Sequence, residues 1–213
     1  MGAMPMFPLG TVLVPGALLP LHVFEERYRR LVADCVNGDI DPEFGVVLID
    51  RGHEVGGGDV RREVGTVARI LEVGALPDGR FAMQTAGVRR IRVNRWLDDR
   101  PYPHADVDEW PDEDQSLVSG ERVDELLVRL RRVRALASEL GEPAGPLDVR
   151  LAPDPVLATY HLVALSPVGP DDAYRLLSCP GPGERLDRLD ALLADVELVL
   201  RLRLEEGGDG GPA

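Results

Sequence analysis

The first half of the chain alternates apolar and polar residues as strands do, whereas the second half repeats its apolar residues at helical spacing. Between residues 6 and 24, prolines at positions 8, 15 and 20 forbid a regular helix, and Val12–Val14 and Leu18–Val23 favour strands. An irregular edge strand with a linker is expected within Asp98–Asp114. Further strands are predicted over Phe44–Ile49, over Val64–Leu76, from Arg80 through Met83 after the Pro77-Asp78-Gly79 turn, and over Val88–Trp96.

Helical periodicity occurs once early in the chain and then dominates after residue 115. Glu25–Val36 predicts a short helix that stops at Asn37-Gly38. Further helices are predicted over Ser116–Leu140, from an Asp154 N-cap through Leu165, from Pro170 to Leu177, and over Glu184–Leu204. Strands followed by helices predict an α+β protein. We expect a β-rich subdomain over residues 1–114, a helical subdomain over 115–206 and a flexible tail over 207–213.

Charge and composition narrow the possible functions. The net charge is −13, which disfavours nucleic acid as a ligand because phosphates are bound mainly by basic side chains. All 24 basic residues are arginine, so the chain holds no Schiff-base lysine, Ser–Lys dyad or P-loop lysine. The apolar run near the start lacks a basic leader, and no stretch reaches transmembrane length. We therefore expect a cytoplasmic protein that makes no membrane contact.

Residues that could carry catalysis or hold a metal are scattered. No serine lies in a G-x-S-x-G elbow, and Cys35 falls on the apolar face of a predicted helix. His104 with Asp106 and Asp108 comes nearest to a metal site, but one imidazole beside two carboxylates in an acidic segment is a weak ligand set. Gly56-Gly57-Gly58 is interpreted as a loop rather than a phosphate cradle. We expect no catalytic residue, metal or cofactor.

Three segments carry a resemblance to a known family. MFPLGTVLVPGALLPLHVFEERYRRLV is similar to the opening of Lon protease N-terminal domains, and VGTVARILEVGALPDGRFAMQTAGVRRIRV resembles that family's next conserved strands and turn. GERLDRLDALLADVELVL resembles its last helix. The resemblance implies a PUA-like β-barrel-type subdomain followed by a helical bundle. It also implies a stand-alone form of the substrate-recognition domain, without the AAA+ ATPase or the protease.

The function implied by this resemblance is the binding of exposed or unfolded polypeptide. Partners would then include a separate protease or chaperone, and a homo-oligomer is an open alternative. The candidate peptide-binding residues come from the apolar segment near the start, the alternating Val88–Trp96 strand and its tryptophan: Leu19, Leu21, Phe24, Arg90, Arg92 and Trp96. A core strand is the alternative interpretation of Leu18–Phe24, and the apolar pattern taken alone favours it. A PUA-like domain that binds RNA or a nucleotide, and an unrecognised enzyme, remain alternatives.

Overall fold

The computed structural model describes residues 2–51, 60–115, 118–143 and 149–208, and within these ranges the chain is an α+β protein. The strands are β1 Ala3–Leu9, β2 Leu18–Val23, β3 Glu43–Arg51, β4 Val60–Ala75, β5 Phe81–Trp96 and β6 His104–Glu109. The helices are α1 Glu26–Asn37, α2 Gly120–Glu139, α3 Pro155–Leu165, α4 Pro170–Leu177 and α5 Pro182–Gly208. The Gly56–Gly58 loop and the tail after residue 208 lie outside the described residues.

The chain divides into two compact units. The first comprises Met1–Pro111 with Pro170–Ser178, and the second comprises Asp112–Gly169 with Cys179–Ala213. Helix α4 thus belongs to the first unit, where Arg62 of β4 approaches the Asp171 carboxylate at 3.4 Å and lies over the Tyr174 ring at 5.0 Å. The subdomain boundary expected at residue 114 stays a prediction. A short amphipathic helix does not reveal from its sequence which part of the chain covers its apolar face.

The strands of the first unit form one mixed sheet in the order β2-β5-β4-β3-β1-β6, in which β5 also pairs with β6. Strand β1 runs parallel to β3, and the other pairs are antiparallel. The pairings β5–β4–β3–β1–β6–β5 therefore make a closed circuit of five strands. Strand β2 lies outside this circuit, paired with residues 81–86 of β5, while β6 pairs with residues 91–96.

The segment Val12–Val14, predicted as a strand, is irregular in the structure. It is nevertheless well anchored, because Thr66 donates its hydroxyl to the Leu13 carbonyl at 2.6 Å and the Gly16 amide donates to the Gly87 carbonyl at 2.8 Å. The Val14 carbonyl lies where a Cβ on Gly87 would stand. The prediction was wrong because apolar residues mark burial, and here the burial comes from packing over a glycine rather than from pairing in the sheet.

Two strand boundaries also differ from prediction. The separate strands expected from Arg80 and over Val88–Trp96 are one continuous strand, β5. The register of β5 against β4 shifts between Gly87 and Arg89, which interrupts the alternation of apolar residues along β5. The sequence pattern therefore resembled two strands. The strand expected at an edge within Asp98–Asp114 is β6, which pairs with β1 on one side and with β5 on the other. Its acidic sequence hid this position, since only every second side chain is buried.

The predicted helix boundaries with clear capping residues are confirmed. Helix α1 ends at Gly38, whose φ of 78° is left-handed as a C-terminal glycine allows. Asp154 caps α3 by accepting from the Leu157 amide at 2.7 Å. In the second unit, the fully buried Arg185 donates to the Thr159 hydroxyl at 2.8 Å and pairs with the Asp112 carboxylate. The sequence pattern had not indicated this buried polar network.

Candidate polypeptide-binding groove

Strand β2 presents apolar residues at the margin of the sheet. Among the described residues it pairs only with β5, and its side chains alternate between exposed and more buried positions. Leu19, Leu21 and Val23 pack towards the core beneath α1. Leu18 on the opposite face is 64% exposed, and Phe24 just after the strand is 55% exposed. Of these two side chains Phe24 also borders a cavity, and an exposed apolar side chain beside a cavity is typical of a binding surface.

A cavity of about 200 Å³ lies beside β2. It is formed by the end of β1, by β2 with the residues that follow it, and by the first turns of α1. We call it the β2 groove, and its lining residues are Phe7, Leu9, Pro20, Leu21, His22, Val23, Phe24, Glu25 and Tyr28.

The β2 groove is apolar and electrically balanced. The Phe7 and Tyr28 rings stack with centroids 3.9 Å apart, which gives the groove an aromatic wall. Glu25 is its one acidic lining residue, and the Arg27 guanidinium lies 3.0 Å from that carboxylate and 4.6 Å from the Tyr28 ring centroid. With this carboxylate neutralised, the groove favours uncharged, apolar ligand groups.

A second cavity, of about 350 Å³, lies on the outer face of the same strands. It shares Pro20, Leu21 and His22 with the β2 groove and adds residues of β4 and β5. Met83 is among its lining residues but is only 5% exposed and packs in the core cluster with Tyr28 and Leu31. Glu72 gives its margin an acidic group. Strand β2 therefore has a cavity on each side.

The structure brings together only some of the residues predicted to bind peptide. Leu21 and Phe24 both line the β2 groove, and Leu19 is half-buried against the core on the same face as Leu21. Trp96 lies elsewhere, at the far end of β5, where the Arg61 guanidinium is 4.5 Å from its ring centroid. Trp96 lines a separate surface depression with Arg95, Asp98 and His104.

Arg90 does not form the exposed rim that alternation along β5 predicted. It is only 3% exposed, and its guanidinium donates to the carbonyls of Trp110, Leu177 and Pro111 at 2.9, 2.8 and 3.3 Å. Arg92 is exposed and lies 3.9 Å from the Trp110 ring centroid. The expectation failed for Arg90 because chain segments distant in sequence return over this face of β5 and bury it.

Comparison with known proteins gives these observations a family context. The model of the ATP-dependent protease La (LON) substrate-binding domain matches residues 3–195. The chain belongs to this family. Curated relatives include the Lon protease of Flavobacterium johnsoniae, 33% identical over 121 residues, and Lon protease 2 of Herpetosiphon aurantiacus, 28% identical over 203 residues. These matches cover 54% and 93% of this chain but only 14% and 24% of the relatives, so the chain spans a minor part of their length.

Solved structures of LON N-terminal domains share the fold. The Lon N-terminal domain protein from Xanthomonas campestris aligns with a TM-score of 0.66 and 28% identity, covering 90% of this chain and 98% of that one. The N-terminal domain of the Mycobacterium avium complex Lon protease aligns with a TM-score of 0.59 and 18% identity, covering 91% and 98%. Both likenesses extend over the strands and the helices together.

The aromatic wall of the groove in this LON domain was not predicted from the sequence. Tyr28 lies on the buried face of α1 and is 3% exposed. Helical periodicity shows that a residue is buried but not that its ring borders a cavity. Phe7 and Leu9 lie in β1, far from α1 in sequence. The signal available was their place in the family-like opening segment, which also contains Leu21 and Phe24.

The remaining features that could carry chemistry in this LON domain are a buried cysteine and the residues that could bind a metal. Burial raises the pKa of the Cys35 thiol to about 11, with Asp34 and Asp41 adding to the effect, so the thiol stays protonated and weakly nucleophilic at neutral pH. The described ranges contain no group of three or more His, Cys, Asp or Glu residues placed to hold a metal. Within the same ranges, no helix combines the length and the apolar character needed to cross a bilayer.

Proposed function

We propose that this LON domain binds exposed apolar segments of unfolded polypeptides in the β2 groove and selects them as substrates for a protease. The observation that carries the proposal is the exposed apolar margin of β2 beside an aromatic-walled cavity whose acidic residue is neutralised. A folded client buries its apolar side chains, whereas an unfolded one offers them to such a groove. This distinction is the one that a substrate selector has to make.

The proposed mechanism requires no covalent chemistry. An apolar side chain that enters the groove leaves water and contacts the Phe7–Tyr28 wall, while Phe24 closes over it from the exposed side. Full burial of one large apolar side chain contributes about 1.5–3 kcal/mol, so a single anchor gives weak and reversible binding. Weak binding suits a module that must pass varied clients onward.

Three finer features belong to the same proposal. The closed circuit of five strands supports a PUA-like barrel as the description of the first unit. The match to a substrate-binding domain, together with the absence of lysine from the sequence, supports a role in binding without catalysis. The protease that receives the clients is proposed to be a separate chain, and a chaperone is a further candidate partner.

The test measures how tightly a fluorescent, permanently unfolded model protein binds to wild type and to two serine variants. Phe24→Ser is expected to weaken binding by about tenfold, because the groove loses its exposed apolar wall. Leu71→Ser is the matched control, since Leu71 is 57% exposed but lines neither cavity of β2. Equal affinity of wild type and Phe24→Ser, or an equal loss in both variants, would contradict the proposal. Thermal unfolding of each variant verifies the fold.

A further inference from the structure

The β2 groove borders the edge of a strand rather than one of its faces. Its lining residues come from β1, from β2 with the two residues that follow it, and from the start of α1, and none of them belongs to β5. Since β5 is the strand with which β2 pairs, the groove lies on the side of β2 that faces away from β5. The outward main-chain edge of β2 therefore borders the groove.

The hydrogen bonds to β5 show which main-chain groups point outward. The Gly87 amide donates to the Ala17 carbonyl at 2.9 Å, and the Thr85 hydroxyl donates to the Leu19 carbonyl at 2.9 Å. Antiparallel pairing alternates along a strand, so Ala17, Leu19, Leu21 and Val23 turn their main-chain groups towards β5. Leu18, Pro20 and His22 turn theirs away from it.

Proline at the central outward position is consistent with this assignment. Pro20 has no amide proton, and proline within a sheet is tolerated where the missing donor would have faced away from the neighbouring strand. The outward edge thus offers two amide donors, from Leu18 and His22, and three carbonyl acceptors. These are the groups with which an additional strand pairs.

We propose that the outward edge of β2 pairs with the main chain of an extended client segment, so that the client adds a strand beside β2. This inference rests on the proposed function and specifies its binding mode. The client main chain then lies along the β2 groove, and its side chains point alternately to the two faces of the extended sheet, one of which carries the second cavity, of about 350 Å³. The site therefore selects clients that are extended and apolar at every second position.

Two observations favour a client segment over a second copy of this chain as the partner of the β2 edge. Pairing of two β2 strands would bring a proline from each side, and each would remove a hydrogen-bond donor from the new ladder. The neutralised Glu25 leaves the groove without an uncompensated charge, which matches an uncharged main chain with apolar side chains. The proline thus hinders edge-to-edge association while leaving the edge open to other sequences.

The first arm of the test is a backbone N-methyl scan of one peptide that is apolar at every second position, with its affinity for the purified chain measured by fluorescence anisotropy. Each N-methyl group removes one donor and leaves the side chain intact. We expect losses of about tenfold at alternate positions and little change between them, since only alternate amides face β2. Losses without a period of two would overturn the inference.

The second arm follows amide hydrogen exchange in the protein itself. On saturation with the unmethylated peptide, the Leu18 and His22 amides are expected to exchange at least about tenfold more slowly. The Leu19 and Leu21 amides, already turned to β5, serve as internal controls. If the peptide binds but the exchange rates of the Leu18 and His22 amides stay unchanged, strand pairing is overturned and the proposed function is not. Failure of the unmethylated peptide to bind, or equal affinity for Phe24→Ser, would instead count against the proposed function.

Discussion

Strands β2 and β6 are the same length and pair with the same edge of β5, yet they occupy opposite situations. The acidic sequence HADVDE of β6 is paired on both sides, and its Ala105 and Val107 are fully buried. The apolar sequence LLPLHV of β2 has a partner on one side only, with Leu18 largely exposed. Composition alone would have reversed the two positions. Stability alone would favour burial of an apolar strand, so the position of β2 at the sheet margin supports the binding surface proposed for it.

The largest effect on stability is expected from a charge placed in the middle of β6. Val107→Asp places a carboxylate in a cluster of buried apolar side chains that includes Met6, Val47 and Ile91. We expect a loss of about 4 kcal/mol in the free energy of unfolding, measured by urea denaturation. Val107→Ala serves as the comparison variant, with a smaller loss from the lost methyl groups. A cost for Val107→Asp no larger than that for Val107→Ala would refute the burial assigned to β6.

A second prediction concerns the arginine that secures the chain after β6. Arg90→Met keeps a long apolar side chain but leaves the three carbonyls that Arg90 serves without their donor. The expected destabilisation is about 3 kcal/mol. Arg92→Met, two residues along the same face, should cost less than about 1 kcal/mol because Arg92 is exposed. Similar losses in the two variants would show that the buried contacts of Arg90 contribute nothing particular.

A pH titration tests the link between the chain before β6 and helix α1. Burial, aided by its 3.0 Å hydrogen bond to Asp34, raises the pKa of Tyr102 to about 12. The folded state holds this proton more tightly than the unfolded state, whose tyrosine titrates near pH 10. The stability that Tyr102 contributes is therefore complete below pH 10 and is lost as the pH rises towards 12.

The measurement compares the stability of wild type and Tyr102→Phe from pH 9 to 12. The difference between them should shrink by about 2 kcal/mol over the upper part of this range. Because the Cys35 thiol, whose pKa is raised to about 11, titrates in the same range and interacts with Tyr102, the comparison is repeated with Cys35→Ala in both proteins. A constant difference across the range would contradict the role given to Tyr102.

The smallest effect on stability is expected from a charge placed on β2. Leu18→Asp places the same charge on a side chain that is 64% exposed, so we expect a stability change of about 0.5 kcal/mol or less. Binding of unfolded polypeptide should nevertheless weaken, because the charge lies at one end of the apolar margin. The measurement is urea unfolding of Leu18→Asp and Val107→Asp under the same conditions. A large loss for Leu18→Asp would mean that β2 contributes to the core as β6 does.

Much of the local structure was predictable from the sequence by itself. Gly38 ends α1, Asp154 caps α3 and the Pro77-Asp78-Gly79 turn joins β4 to β5, because each depends on the backbone preferences of a few adjacent residues. The α+β class followed from the change of period near residue 115. Leu21 and Phe24 were selected from the sequence with the whole apolar segment that contains them, and both line the β2 groove, while their contact with peptide stays a prediction.

The tertiary structure decided which of these residues meet. Arg90 and Arg92 share one face of β5 in sequence, yet only Arg90 is buried, because Trp110 and the end of α4 return to that place. The Phe7–Tyr28 wall joins a strand to a helix, and β2 and β6 received their positions from pairings made far along the chain. Local patterns specify the conformation and burial of a segment. The identity of what buries it depends on long-range contacts, which no spacing within that segment encodes.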